Sequence, residues 1–268
     1  IGLPGYTSPD PARPELNFAP RVDSENFYGT DDDHDDVTAD MFTAKIEHDF
    51  SDDVKLQNTT RWGRNKQDYL LTSFRGDLTN LLTPDISDPS TWTIARSLPT
   101  FKDQTNKILT NQTNLRLHWE SGSFANDLSG GLELTREELE TAIIRVRGTP
   151  AFWPAASVYA PDPHVVGPDY GPNGGHTEGQ SDTSAVYAFD TVTLNDRWQL
   201  NAGVRFDRYE TDFSSALACA TGTGTPVCGD LPAGTVLPAF DDSISDTLFS
   251  WKAGVLFKPA NNGSIYAN

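Results

Sequence analysis

The sequence predicts an all-β fold, namely an antiparallel transmembrane β-barrel segment whose roughly eight strands form part of a larger barrel. Three observations lead to this prediction. Apolar and polar residues alternate with a period of two in several segments, and tight turns alternate with very long connections. In addition, no run of 18 or more apolar residues is available to form a membrane-spanning helix.

The clearest strand lies at residues 198–207. Its even positions are Trp198, Leu200, Ala202, Val204 and Phe206, and its odd positions are Gln199, Asn201, Gly203, Arg205 and Asp207. Successive side chains of a strand point to opposite faces, so this segment has one apolar and one polar face. We therefore expect its two faces to meet different surroundings.

The same alternation identifies the other strands. Segments 42–50, 114–120, 124–135 and 249–257 alternate clearly, whereas 54–62 and 185–194 do so more weakly. Together with a short strand at 264–267, these segments give about eight strands, which we pair as four hairpins.

The connections indicate what kind of sheet these strands form. Short turns are predicted at 51–53, 121–123, 195–197 and 259–263, and long connections at about 64–105, 136–182 and 210–245. Short periplasmic turns and long extracellular loops characterise bacterial outer-membrane barrels. A soluble β-sandwich is the alternative, but it would not segregate short and long connections to opposite edges.

The polar face carries charges of both signs, including Lys45, Glu47, Arg116, Glu133 and Arg205. An eight-stranded barrel has room only for side chains, whereas about 22 strands enclose a plug. We therefore expect these strands to belong to a wider barrel with a wet or plugged interior.

The composition argues against some functions. The formal charge is -18, from 38 acidic and 20 basic residues, which disfavours nucleic acid as a partner. A barrel shows lipid only one face of each strand, so this charge is compatible with a membrane. Motifs for a nucleophile elbow, a P-loop, a dinucleotide site or a zinc protease are absent, so we expect no enzyme activity.

Two further features of the sequence suggest a disulfide bond and a metal site, respectively. Cys219 and Cys228 lie nine positions apart in a loop rich in Gly and Thr, where a disulfide in an oxidising compartment is the first interpretation and two free thiols the second. The acidic run at 31–36 lacks the Gly and Glu of a calcium-binding EF-hand loop. We interpret it as a solvated acidic loop, with weak surface Ca²⁺ as the alternative, and predict no metal site.

Six segments carry recognisable motifs, and together they span nearly the whole chain. The longest is the hairpin 190–209, with Gly203-Val204-Arg205-Phe206-Asp207. The others are Asn26-Phe27-Tyr28-Gly29, 45–50, 111–115, 130–137 and 262–267. In this order the segments resemble the TonB-dependent siderophore receptors, especially the catecholate (Fiu-like) branch.

The resemblance implies a plugged barrel of about 22 strands in the outer membrane of a Gram-negative bacterium. Its cargo would be a ferric siderophore, with the catecholate type favoured and no covalently bound cofactor. Its partners would be TonB–ExbB–ExbD, together with outer-membrane lipid and lipopolysaccharide. We expect residues 1–268 to be a central barrel portion, without the plug, the TonB box and the C-terminal strands.

Arginine and aromatic side chains suit a ferric tris-catecholate, which is a trianion with planar rings. The predicted loop 143–170 offers Arg145, Arg147, Trp153 and Tyr159, and the stretch 62–75 offers Arg64 and Tyr69. We predict these six as candidate ligand contacts. The alternative is that they hold long loops together or belong to an outer aromatic girdle.

Two other functions remain open on the sequence. A passive porin or adhesin-type barrel would have no plug and would not need TonB. A soluble sugar-binding β-sandwich would be extracted from cells without detergent.

Overall fold

The computed structural model describes residues 3–6, 11–75, 80–122, 124–148, 152–222, 226–260 and 262–268. Strands dominate this part of the chain, and no helix within it has the length and hydropathy needed to cross a membrane. The helical elements are α1 (Pro14–Phe18) and a 3-10 turn (Pro89–Thr91). The strands are β1 (His34–Asp49), β2 (Val54–Arg75), β3 (Leu81–Leu82), β4 (Thr93–Ser121), β5 (Phe124–Arg147), β6 (Ala156–Ser157), β7 (Asp169–Asn195), β8 (Trp198–Ala218), β9 (Val236–Ala260) and β10 (Gly263–Ala267).

The main sheet has the order β1-β2-β4-β5-β7-β8-β9-β10, and each neighbouring pair is antiparallel. These eight strands confirm the predicted all-β, antiparallel class. The short strands β3 and β6 both pair with the beginning of β4, at Thr93 and Ile94. Strand order thus follows chain order, as in the wall of an up-and-down barrel.

Short and long connections leave opposite edges of this sheet, as predicted. Residues 50–53 join β1 to β2, and residues 196–197 join β7 to β8. Ser123 and Asn261, in two other predicted turns, lie outside the described residues. The long connections are 76–92, 148–168 and 219–235, parts of which are described.

The predicted extent of the long connections is wrong. Strands β2, β4, β5, β7, β8 and β9 continue far into the ranges assigned to loops, and β4 reaches 29 residues. At about 3.3 Å per residue β4 is roughly 95 Å long, whereas a lipid-facing band is only about 25 Å tall. Beyond such a band both faces of a strand can meet water, so the apolar alternation that identified the strands disappears.

Apolar residues are distributed in two ways. Large side chains on the main sheet are widely exposed, with Phe42 at 64% and Trp251 at 71%. The buried cluster instead lies among the segment before β1 and the outer connections, and consists of Leu16, Val22, Tyr28, Leu81, Trp92, Ile94, Ala156 and Val158. The sheet therefore presents an apolar surface to its surroundings, while a small core holds the outer segments together.

Candidate functional site

Strand register defines two faces of the main sheet. Directly paired residues share a face. Phe42, Trp62 and Leu109 are paired across β1, β2 and β4, and we call their side the apolar face. Arg61, Thr110, Thr135 and Thr183 are paired across β2, β4, β5 and β7, and we call their side the polar face.

An ionic network lies on the polar face around Arg205. Its Nη2 is 3.2 Å from Glu133 Oε1, and its Nε donates to Asp207 Oδ1 at 2.9 Å. The guanidinium carbon also lies 5.6 Å from the centroid of the Tyr187 ring. A charge with two carboxylate partners is well accommodated on a surface that water or polar protein covers.

Tyr187 joins this network to β4. Its hydroxyl donates to Asn114 Oδ1 and accepts a hydrogen bond from Gln112 Nε2 at 2.9 Å. The ring passes over Gly131, where an added Cβ would lie 2.5 Å from the tyrosine oxygen. Glycine at position 131 therefore makes room for a side chain that crosses strand β5.

Two predicted ligand residues, Arg64 and Tyr69, lie on strand β2 rather than on a loop, which corrects their placement. Arg64 is two residues from Trp62 and shares the apolar face, whereas Tyr69 is paired with Lys102 on the polar face. The structure thus separates the two. It also adds Lys102, which sequence reasoning missed because only the register of β4 against β2 shows its position.

Arg145 and Arg147 also lie on a strand, close to the end of β5, and not in the predicted loop. Arg145 Nη1 donates to the carbonyl of Ile144 at 2.8 Å. Arg147 Nη2 donates to Asp169 Oδ1 at 2.8 Å, and both of these side chains are exposed. Donors of both guanidinium groups are left for other acceptors, because each group carries five N–H bonds.

Trp153 and Tyr159 lie in the connection between β5 and β7, as predicted, but both pack within the protein. Trp153 is only 4% exposed and stacks on Tyr170, with ring centroids 5.3 Å apart. The Tyr159 hydroxyl donates to the carbonyl of Pro20 at 2.8 Å, and burial raises the pKa of this hydroxyl. Both rings therefore hold outer segments together, and whether either contacts a ligand remains a prediction.

The acidic run is largely exposed, as predicted, but only residues 31–33 lie in a loop, and their carboxylates are held by hydrogen bonds. Asp31 Oδ2 lies 2.5 Å from His164 Nδ1, Asp32 Oδ2 accepts from Trp153 Nε1 at 3.4 Å, and Asp33 Oδ1 accepts from Thr72 Oγ1 at 2.6 Å. The hydrogen bond to Asp31 raises the pKa of the His164 imidazole. Each of the three carboxylates thus anchors a different part of the chain, while residues 34–36 begin β1.

Arg96 is the residue at the outer end that sequence reasoning missed most completely. It lies in β4, is 1% exposed, and donates to three backbone carbonyls. Nothing in the sequence signals such a residue, because every residue type carries a carbonyl and these partners are about 60 positions away.

Cys219 and Cys228 are joined by a disulfide in the connection between β8 and β9. The backbone N–H of Cys228 donates to the carbonyl of Ala220 at 3.1 Å, and that of Gly234 donates to Cys219 at 3.0 Å. Within the described residues, no group of three or more His, Cys, Asp or Glu side chains is placed to hold a metal ion.

Comparison with protein families gives a match over nearly the whole chain. The family model described as TonB dependent receptor-like, beta-barrel, matches residues 2–268. The catecholate siderophore receptor Fiu of Escherichia coli K12 is 42% identical over 270 residues, covering 100% of this chain and 35% of the relative. The probable TonB-dependent receptor BfrD of Bordetella pertussis is 29% identical, covering 92% of this chain and 32% of its own length.

Solved structures agree with these relatives. The crystal structure of the Fiu ferric-catecholate import receptor in its closed form superimposes with a TM-score of 0.87 at 41% identity, over 99% of this chain and 37% of that one. Its open form gives a TM-score of 0.86. The siderophore receptor PiuA of Acinetobacter baumannii, with a TM-score of 0.70 at 20% identity, shares the fold. The chain spans about a third of the length of the curated relatives it matches.

Proposed function

The chain belongs to the TonB-dependent receptor β-barrel family, and from this membership we propose that it forms part of an outer-membrane receptor that imports a ferric siderophore of the catecholate type. The observation that carries the proposal is the 42% identity to a catecholate siderophore receptor, which extends over the entire chain. Identity at this level over a whole segment supports a shared class of cargo more strongly than a shared fold does.

The two faces of the sheet support the membrane part of this proposal. Phe42, Trp62 and Trp251 belong to the apolar face, which would meet acyl chains. Arg205, Glu133 and Asp207 belong to the polar face, which would line the interior. A soluble β-sandwich would bury its apolar face against a second sheet, and the family match does not favour that alternative.

The partners follow from the family. Energy would come from TonB with ExbB and ExbD, through a region outside residues 1–268. Lipid and lipopolysaccharide would surround the apolar face. The ferric siderophore is the cargo, and the proposal includes no bound cofactor and no catalytic step.

Capture of the cargo would depend on cations and aromatic rings close to the outer ends of the strands. Tyr69 and Lys102 are paired on the polar face, and Arg145 and Arg147 lie on β5 with donors to spare. A trianionic complex would be attracted by these cations, and its planar rings could stack on tyrosine. Arg64 on the apolar face and the buried Trp153 are less suitable contacts, because neither presents its side chain to the interior.

The test is iron uptake by cells that produce the complete receptor. A host that lacks its own catecholate receptors would be given radiolabelled iron bound to a tris-catecholate, with a ferric hydroxamate as the comparison. We expect uptake of the catecholate complex only, and only when TonB is functional.

Three outcomes would contradict the proposal in different ways. Uptake of iron without TonB would indicate a passive channel. Uptake of the hydroxamate alone would show that the cargo class is wrong. Absence of uptake for both complexes, with receptor present in the outer membrane, would exclude siderophore import of either kind.

A further inference from the structure

Two distant segments are joined at the outer end of the sheet. The hydroxyl of Tyr28 donates to the carbonyl of Val158 at 2.5 Å, although 130 positions separate the two residues. The backbone N–H of Asp31 donates to the carbonyl of Pro163 at 3.1 Å. Further bonds connect Asn26 to Val158, Tyr159 to Pro20, and His164 to Asp31. Residues 20–33 and 152–164 therefore form one joined layer, which we call the outer clasp.

Apolar contacts support the same layer. Val22 and Tyr28 from the first segment belong to one buried cluster with Ala156 and Val158 from the second. The other four members of the cluster are Leu16, Leu81, Trp92, just before β4, and Ile94, at the beginning of β4. The two segments thus share a core as well as hydrogen bonds, so separating them would expose apolar surface to water.

Arg96 fixes this layer to the wall of the sheet. Its Nε donates to the carbonyl of Tyr28 at 2.8 Å, its Nη1 to that of Pro154 at 3.1 Å, and its Nη2 to that of Asp162 at 2.5 Å. One guanidinium therefore holds one carbonyl of residues 20–33 and two carbonyls of residues 152–164. All three hydrogen bonds described for this guanidinium go to these carbonyls.

The arrangement constrains movement. If one segment moved away alone, Arg96 would lose part of its coordination and remain a buried charge with free donors, which is unfavourable. If both segments moved together, Arg96 would lose all three carbonyls, but the hydrogen bonds that join the segments to each other would be preserved. By contrast, the hydrogen bonds described for the connection 219–235 remain within that connection.

We propose that residues 20–33 and 152–164 open and close as a single body, with Arg96 as the positioning residue that couples them to each other and to β4. This inference goes beyond the proposed function, because it holds for any cargo. For the intact receptor it means that these two outer segments act as one gate element.

The test is hydrogen exchange followed by mass spectrometry on the complete receptor in lipid nanodiscs. In the wild type, the amide hydrogens of residues 20–33 and those of residues 152–164 should exchange through opening at the same rate. Arg96→Lys keeps the positive charge but replaces the planar guanidinium by a single ammonium group, which cannot reach all three carbonyls. This variant should accelerate hydrogen exchange in both segments by about tenfold. Exchange in 219–235 should not change.

Arg147→Lys is the matched control. Arg147 is also an arginine near the end of a strand, but it is exposed and its one described partner is Asp169. We expect no change in either clasp segment for this variant. Different opening rates for the two segments in the wild type, or acceleration of only one segment in Arg96→Lys, would overturn the proposal.

A second measurement avoids dependence on the folding of the Arg96 variant. Spin labels at Glu25→Cys and Ala160→Cys, both exposed positions of the clasp, report the distance between the segments in the otherwise wild-type receptor. A single narrow distance distribution is expected. A broad or bimodal distribution would show that the segments move independently.

Discussion

Asn58 and Asn111 hydrogen-bond each other in both directions across strands β2 and β4, with Nδ2···Oδ1 distances of 3.1 and 3.2 Å. Their remaining amide protons are used as well, since Asn58 donates to Thr113 at 2.7 Å and Asn111 donates to Thr60 at 2.6 Å. All four side chains lie on the apolar face. Thr60 is paired with Asn111 and Asn58 with Thr113, two and four positions along β2 from the pair of Trp62 and Leu109. Polar groups that satisfy each other in this way can face acyl chains without a further partner.

Loss of one asparagine from this group should destabilise the receptor. In Asn111→Leu the donors of Asn58 lose an acceptor in an apolar environment, and we expect a loss of about 1–2 kcal/mol in the free energy of unfolding. Asn58→Leu together with Asn111→Leu removes both partners and should restore most of that loss. The measurement is urea unfolding of the receptor in lipid vesicles.

Asn65 and Asn106 provide the control, because they are also directly paired between β2 and β4 but on the polar face. Asn65→Leu should change stability much less, since Asn65 is exposed to solvent. If Asn111→Leu alone and the double variant lost the same free energy of unfolding, this would contradict the mutual hydrogen bonding of Asn58 and Asn111.

This polar group also explains what the sequence could and could not predict. Alternation identified the eight strands, because a strand between lipid and a polar interior must place apolar residues on one side. It was weak in β2, where Asn58 and Thr60 occupy apolar-face positions and are compensated by Asn111 and Thr113 on the next strand. A pattern along one strand cannot show compensation that comes from its neighbour.

The outer end of the sheet could not be predicted for a different reason. Beyond the apolar band no alternation is required, so the sequence pattern predicts loops where the outer halves of β4, β5 and β7 lie. The partners of Arg96 are backbone carbonyls, which have no signature in the sequence. The candidate ligand residues could be selected by type, but only the continuation of β2 to Arg75 puts Arg64 and Tyr69 on one strand, five positions apart and therefore on opposite faces.

Gly131→Ala should destabilise the barrel wall. A Cβ at this position would lie 2.5 Å from the hydroxyl of Tyr187 and 2.7 Å from the backbone oxygen of Thr113, which cannot move away easily. We expect a loss of about 1–3 kcal/mol in unfolding free energy, as for other overpacked positions. Gly130→Ala is the matched control, because its nearest neighbour would be the Tyr187 carbonyl at 3.5 Å, an ordinary contact. Equal stability of the two variants would show that Tyr187 does not need the space over Gly131.

The contact between His164 and Asp31 should depend on pH. The hydrogen bond to Asp31 raises the pKa of His164 above the ordinary histidine value of about 6.5. The contact therefore contributes fully below about pH 6.5 and is lost as the pH rises through the raised pKa. Histidine-selective NMR of the labelled receptor should show His164 titrating above the ordinary value, and Asp31→Asn should return it towards that value. An unchanged titration in Asp31→Asn would exclude the ion pair, which is exposed and therefore contributes little to overall stability.

Removal of a cation from the polar face near the outer rim should weaken uptake of an anionic siderophore complex. Lys102 is paired with Tyr69 on that face, whereas Lys66, three residues before Tyr69, lies on the opposite face and is 3.9 Å from Asp103. Lys102→Gln would reduce the attraction for a trianion by roughly 1 kcal/mol, which corresponds to about fivefold weaker binding. Lys66→Gln makes the same change in net charge on the other side of the wall. It therefore alters the long-range attraction of the receptor for an anion equally, but leaves the charge of the interior unchanged.

The measurement is the concentration of ferric tris-catecholate that half-saturates uptake by cells with matched receptor levels. We expect an increase of about fivefold for Lys102→Gln and no significant change for Lys66→Gln. Equal effects of the two variants would mean that only the net charge of the receptor matters, and that the interior position of Lys102 gives it no special role in capture.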